Sequence, residues 1–163
     1  YDMPALGGVF KTKSYKGAPK IKIAEGKTTI PGATNVLRIV RSGRFEGDII
    51  MPAAENVVAD GRLQENIISF NINSLNGKKA DFAAGEEAYA LLKPVMAEGR
   101  PVSAGAVRPL DDIRAAVREN LSRLDPAYKR LVNPHVYGVG LKQELYRRQQ
   151  NMVAAYLAKR ERG

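Results

Sequence analysis

The sequence predicts an α+β chain: an antiparallel β meander followed by a helical C-terminal region. Three observations carry this. Residues 35–40 (NVLRIV) and 45–51 (FEGDIIM) are β-prone apolar runs on either side of Ser42-Gly43, the pattern of two strands and a tight turn. Ahead of them, two further short runs, one with Leu6, Val9 and Phe10 and one with Ile21 and Ile23, flank a Lys16-Gly17-Ala18 loop. Towards the end, Leu110, Ile113, Val117, Leu121 and Leu124 recur at spacings of three and four, an amphipathic helical stripe.

Taken in order, the first two runs form a basic hairpin. Ile21 and Ile23 alternate with Lys20 and Lys22 as a strand does, and Ile30-Pro31-Gly32-Ala33 reads as the turn that leaves it. With the strands at 35–40 and 45–51, residues 6–51 are expected to make a four-strand meander. Residues 52–61 are a connection with room for one helical turn. Within 63–72, Ile67, Ile68, Phe70 and Ile72 predict another strand, and residues 71–77 have Asn-rich turn chemistry. Pro94 bars a long helix after Glu86, so a strand is expected over 89–96, a Glu98-Gly99 turn, and a short strand at Pro101-Val102. Pro109 fits the first position of the helix carrying the stripe, with Asp111 and Asp112 where the helix dipole favours them. Asp125-Pro126 ends it, residues 127–131 have room for one more turn, and a final helix is expected from Leu141 onward.

Composition excludes several chemistries. The chain has no cysteine, hence no disulfide, thiolate nucleophile or cysteine metal site, and its single histidine removes most zinc chemistry. At 163 residues and 44% hydrophobic content it can bury a core. No apolar run reaches transmembrane length and no signal peptide is visible, so no membrane association and a cytoplasmic address are expected. Tyr1 stands where an initiator Met would, and the chain opens directly into Pro4-Ala-Leu-Gly-Gly; an excised C-terminal portion is the expectation.

The net charge of +9 is unevenly spread. Residues 1–44 carry nine Lys or Arg against two Asp or Glu, residues 45–100 five against nine, and residues 101–163 twelve against six. Six of the first nine are hairpin lysines, at 11, 13, 16, 20, 22 and 27. They fit either a phosphate or polyanion surface, or a solvated strand face whose charges discourage edge pairing; the residues alone leave both open. Sparse aromatics and the absence of a nucleic-acid motif weigh against nucleic acid.

No catalytic set is complete. His135, in Asn133-Pro134-His135, has no carboxylate or second ligand nearby in sequence and reads as a loop residue that packs or caps. Asp111-Asp112 and Glu86-Glu87 are adjacent pairs whose side chains do not face each other on a helix, so they are poor acid–base pairs. Gly7-Gly8 lacks the Walker and dinucleotide patterns and fits close backbone approach or a bulge.

Several segments in register along the chain resemble the nicotinate phosphoribosyltransferases. Pro4-Ala-Leu-Gly-Gly-Val-Phe-Lys11, Lys20-Ile-Lys-Ile23 and Ile30-Pro-Gly32 resemble that family's P-A-L-x-x-V-x-K strand, basic strand and Pro-Gly turn. Leu91-Leu-Lys-Pro-Val-Met96 with Gly99-Arg-Pro-Val102 resembles its L-L-x-P-V and G-R-x-V hairpin, and Pro109-Leu-Asp-Asp-Ile-Arg114 its S-L-x-x-I-R helix start. Lys129-Arg-Leu131, Asn133-Pro-His135, Tyr137, Val139-Gly-Leu141 and Leu145 resemble its K-R-x-x-N-P-H-x-Y-x-V-x-L-S-x-x-L ending. Pro109 and Lys142 depart from the pattern where Ser is usual; the first loses a side-chain cap, and the second is expected to alter capping of the last helix. Residues 52–85 match poorly.

The resemblance implies a fragment of an α/β-barrel-plus-sandwich enzyme. Residues 1–32 would be a post-barrel hairpin joining the sandwich domain, and 33–163 the family's C-terminal domain. The intact enzyme would couple nicotinate to phosphoribosyl pyrophosphate, with ATP and Mg²⁺ as cofactors, as a homodimer; its phosphorylated histidine and phosphate loop belong to segments absent from this sequence, and His135 does not match that histidine's motif. By analogy with the related nicotinamide enzyme, Lys11, Lys22 and Lys27 would face phosphate. The alternative from another class is a free-standing basic module binding nucleic acid or a polyanion; a purely structural domain is a third.

Overall fold

The structure, a computed structural model, describes residues 11–24, 28–72, 78–102 and 108–161. The first hairpin run at Leu6, Val9 and Phe10, the Gly7-Gly8 pair and most of the Asn-rich turn fall outside these. The chain forms two compact units: Thr34–Gln143, and Tyr1–Ala33 together with Glu144–Gly163.

The larger unit is built on an eight-stranded sheet. The α+β reading holds, with connections less simple than those of a meander. Among the described residues β1 (Ser14–Tyr15) and β2 (Ala18–Pro19) pair only with each other, and the strands on either side of residues 34–41 come from 44–52 and 87–90, so the basic hairpin does not continue into the next strand as the meander expected over 6–51 requires. Ile21 and Ile23 lie outside any strand. β3 (Thr34–Arg41) and β4 (Arg44–Pro52) are the expected central hairpin, turning at Ser42 and Gly43 with φ of 52° and 75°, the left-handed pair a two-residue hairpin turn requires. The rest of the sheet comes from β5 (Val58–Ala59), β6 (Arg62–Leu63), β7 (Ile67–Asn71), β8 (Lys79–Phe82), β9 (Glu87–Ala90) and β12 (Val139–Lys142), in the order β5-β6-β9-β3-β4-β12-β7-β8. The connection expected over 52–61 thus holds a strand where a helical turn had room. The strand expected over 89–96 is divided: β9 ends at Ala90, and among the described residues β10 (Met96–Ala97) pairs only with β11 (Arg100–Pro101) across the Glu98-Gly99 turn.

Strand alternation sets the core. Leu37 and Ile39 of β3 and Ile49 and Met51 of β4 point to one face, where they join Val57, Leu63, Ile67, Phe82 and Ala88. Between Ile39 and Val40 the register shifts: Ile39 opposes Gly47 but Val40 opposes Phe45, leaving Glu46 as the extra residue of a β-bulge. β12 runs parallel to β4 and antiparallel to β7, so it joins two parts of the sheet that do not otherwise pair.

Helix α1 spans Leu110–Arg123. Pro109 takes the N-cap position, one residue before the expected place, and makes no side-chain cap bond. The apolar stripe is present but does not enter the core: no α1 residue is buried, and Leu110, Ile113, Val117 and Leu121 are 44–60% exposed. A 3₁₀ turn, Pro126–Lys129, follows, with Asp125 accepting from the Ala127 amide at 2.8 Å.

In the smaller unit, Lys16 and Gly17 turn the β1–β2 hairpin with φ of 48° and 77°. The Lys20 amide donates to the Lys13 carbonyl, as does the Gly32 amide, both at 2.8 Å. Residues 22 and 29 are tied twice: Lys22 N–H to Thr29 Oγ1 at 2.8 Å, and Thr29 N–H to the Lys22 carbonyl at 3.0 Å. Helix α2 (Gln143–Arg160) contributes Gln149, whose Nε2 donates to the Thr29 carbonyl at 3.2 Å.

Candidate functional site

Of the three lysines expected to face phosphate, Lys11 and Lys22 are exposed and Lys27 lies outside the described residues. Lys22 is held by its backbone through Thr29, which leaves its ammonium at the surface. The backbone bonds gather a different pair: Lys13 and Lys20 oppose each other one step beyond the β1–β2 register. Lys13 is partly buried, and burial draws its ammonium below the usual lysine range.

The second ordered polar cluster lies in the larger unit, and the sequence reading missed it. Arg38 and Asp48 oppose each other on β3 and β4. Their side chains form a two-bond fork, Nε to Oδ1 at 2.9 Å and Nη2 to Oδ2 at 2.8 Å. Tyr137 donates its hydroxyl to the same Oδ1 at 3.0 Å. The Arg38 guanidinium also lies 4.4 Å from the Phe45 ring centroid, and Arg123 of α1 lies 4.9 Å from it. The Asp48 hydrogen bond drives the Arg38 pKa further up. Burial, and then the Asp48 charge, hold the Tyr137 hydroxyl above the ordinary tyrosine range.

This cluster anchors the Asn133-Pro134-His135 loop. Tyr128 meets Tyr137 edge-on at 5.4 Å and His135 edge-on at 6.3 Å, and the His135 amide donates to the Ala127 carbonyl at 3.0 Å. His135 is exposed, consistent with a loop residue that packs. Next to the cluster, a cavity of about 140 Å³ is lined by Arg41, Glu46, Asp48, Ser69 and three glycines among others. Glu46 and Asp48 are already paired, with Arg41 and Arg38. Lys142 is the last residue of β12, directly before α2: it is buried, and its Nζ meets Glu55 at 2.6 Å and Glu65 at 2.7 Å, so its side chain neutralises carboxylates. Among the described residues no group of three or more His, Cys, Asp or Glu could hold a metal, and no helix is long and apolar enough to cross a membrane. The described geometry therefore offers structural ion pairs in one unit and a lysine-bearing surface in the other.

Comparison with known proteins sets this geometry in context. The family profile for the nicotinate phosphoribosyltransferase C-terminal domain matches residues 34–149. The chain is 30% identical over 145 residues to a nicotinate phosphoribosyltransferase of Rattus norvegicus, covering 87% of this chain and 26% of the relative. It is 29% identical over 156 residues to the Bacillus subtilis enzyme of that name, covering 90% of this chain and 30% of the relative. The crystal structure of human nicotinic acid phosphoribosyltransferase matches its fold with a TM-score of 0.65 at 23% identity, covering 91% of this chain and 27% of that one. The chain thus spans between a quarter and a third of the length of these relatives.

Proposed function

Because the chain belongs to the nicotinate phosphoribosyltransferase C-terminal domain family, we propose that it is the C-terminal part of an enzyme making nicotinate mononucleotide and pyrophosphate from nicotinate and phosphoribosyl pyrophosphate, a step of NAD biosynthesis. The single observation that supports this most is the match over residues 34–149. The chain alone does not turn over in this reading. It includes no complete catalytic set among its described residues, and it covers 26–30% of the relatives' length.

The part played by this chain is electrostatic. Pyrophosphate departs carrying several negative charges, and ammonium groups placed in advance stabilise that charge as it develops. Lys11, Lys22 and Lys27 supply it, each as a point charge. A homodimer and a cytoplasmic location belong to the same reading. ATP and Mg²⁺ are implied as cofactors, but no metal-ligand group is present among the described residues, and neither enters the role given to the lysines.

The test is a kinetic assay of the gene product that contains this chain, with labelled nicotinate and phosphoribosyl pyrophosphate. Nicotinate mononucleotide is expected, with Lys11→Ala and Lys22→Ala raising KM for phosphoribosyl pyrophosphate by roughly tenfold each and leaving Tm unchanged. Absence of the product overturns the enzyme assignment; unchanged KM in both variants overturns the lysine assignment. Tight DNA binding that weakens steeply with salt, without turnover, would point to the basic binding module instead.

A further inference from the structure

We propose that Arg148, on the last helix, is an anion-binding residue that works with Lys20 and Lys13 to hold a compact phosphate or pyrophosphate at Gly32. This rests on the reading that the hairpin surface handles phosphate, and it adds a residue from a distant part of the sequence.

Three observations converge on Gly32. The β1–β2 register, Ser14 opposite Pro19 and Tyr15 opposite Ala18, is carried one step further by the Lys20 N–H to Lys13 carbonyl bond. Residues so opposed share a face, with Cβ atoms about 5 Å apart, so two ammonium-bearing chains start from neighbouring points. The same Lys13 carbonyl accepts from the Gly32 amide at 2.8 Å. Gly32 itself has φ of +82°, and a Cβ placed on it would lie 3.8 Å from Pro19 Cβ and 3.9 Å from Arg148 Nη1. The guanidinium therefore lies over the glycine that ties the hairpin together. Gln149, the next residue, fixes the helix to the same segment through Thr29, which is bonded to Lys22.

The chemistry fits an anion. Among the described residues Arg148 makes no ion pair. Arg147 and Asn151 line the same shallow groove, with Glu144 a turn earlier. The unit containing all these residues carries eleven Lys or Arg against four Asp or Glu, so it holds +7 of the chain's +9. Lysines act as point charges, whereas a planar guanidinium can grip two phosphate oxygens at once. A guanidinium over one glycine, with two lysines starting from opposed positions of the hairpin tied to it, suits a compact phosphate; a polynucleotide would be served by a row of charges along a track.

The experiment is calorimetric titration of the 163-residue chain with inorganic pyrophosphate, and separately with a short DNA duplex. Arg148→Ala is expected to weaken pyrophosphate binding at least about tenfold with an unchanged circular dichroism spectrum. Arg148→Lys, which keeps the stem and the charge but not the fork, is expected to fall between the two, and it carries the test if the alanine variant does not fold. If both Arg148 variants bind pyrophosphate like the parent while Lys11→Ala and Lys22→Ala weaken it, the inference fails and the hairpin reading stands. Loss in the Arg148 variants with Lys11 and Lys22 silent supports the inference and removes those lysines. Binding of DNA but not of pyrophosphate overturns the compact-anion proposal.

Discussion

Asp48 ties β3 and β4 to the segment that carries Tyr137, because its two oxygens take both the Arg38 fork and the Tyr137 hydroxyl. Asp48→Ala leaves a half-buried guanidinium unpaired, so a loss of about 2–4 kcal/mol is expected in chemical denaturation. Tyr137→Phe should show itself in the pH dependence. An unfolded tyrosine ionises near pH ~10, whereas the folded Tyr137 keeps its proton to higher pH. Its contribution is therefore complete below the unfolded value and is lost as pH rises through the folded one. The Tm of the parent should fall faster than that of Tyr137→Phe above pH ~10; equal alkaline slopes would refute the linkage. The hairpin lysines were legible in the sequence as charge, but the Arg38–Asp48 pair was not. A regular hairpin turning at Ser42-Gly43 would set Gly47 opposite Arg38, and only the bulge at Glu46 moves Asp48 there. The fork of Arg148 over Gly32 was equally hidden, since 116 positions separate the two in sequence.

Among the glycines with neighbours described, Gly140 of β12 has the least room. A Cβ on Gly140 would run into the Ser69 side chain and lie 3.2 Å from the Phe70 carbonyl oxygen, on the strand paired with β12. Gly140→Ala is expected to cost about 1–3 kcal/mol by overpacking, with partial recovery in combination with Ser69→Ala, measured by urea unfolding. The stripe of α1 predicts the opposite behaviour. Since none of its residues is buried, Ile113→Ser with Leu121→Ser should change stability by about 0.5 kcal/mol or less per site; a loss typical of core positions would show that the stripe is covered in solution. Helix α1 and the β3–β4 hairpin were readable because periodicity and turn residues are local signals. Periodicity reveals that a helix has an apolar face, not whether anything lies against it. Strands β8 and β12 escaped the reading because each is four residues long, and β12 takes its place through partners far away in the chain.

At the scale of the molecule, charge and fold are divided differently from the sequence thirds. The basic first segment and the last helix share one compact unit, and the sheet with most of the acidic residues forms the other. Family membership was legible because short motifs keep their order along the chain even where the residues between them do not match. The sheet order also has a consequence in time. Without β12, the five strands β5-β6-β9-β3-β4 and the pair β7-β8 have no hydrogen-bonded neighbour in common. On a ribosome adding about 5–20 residues per second, β4 would wait on the order of ten seconds for the strand that closes its free edge. Until Val139–Lys142 emerges, that edge is open to any passing strand, so the sheet passes through its most vulnerable state while residues 53–138 are being made.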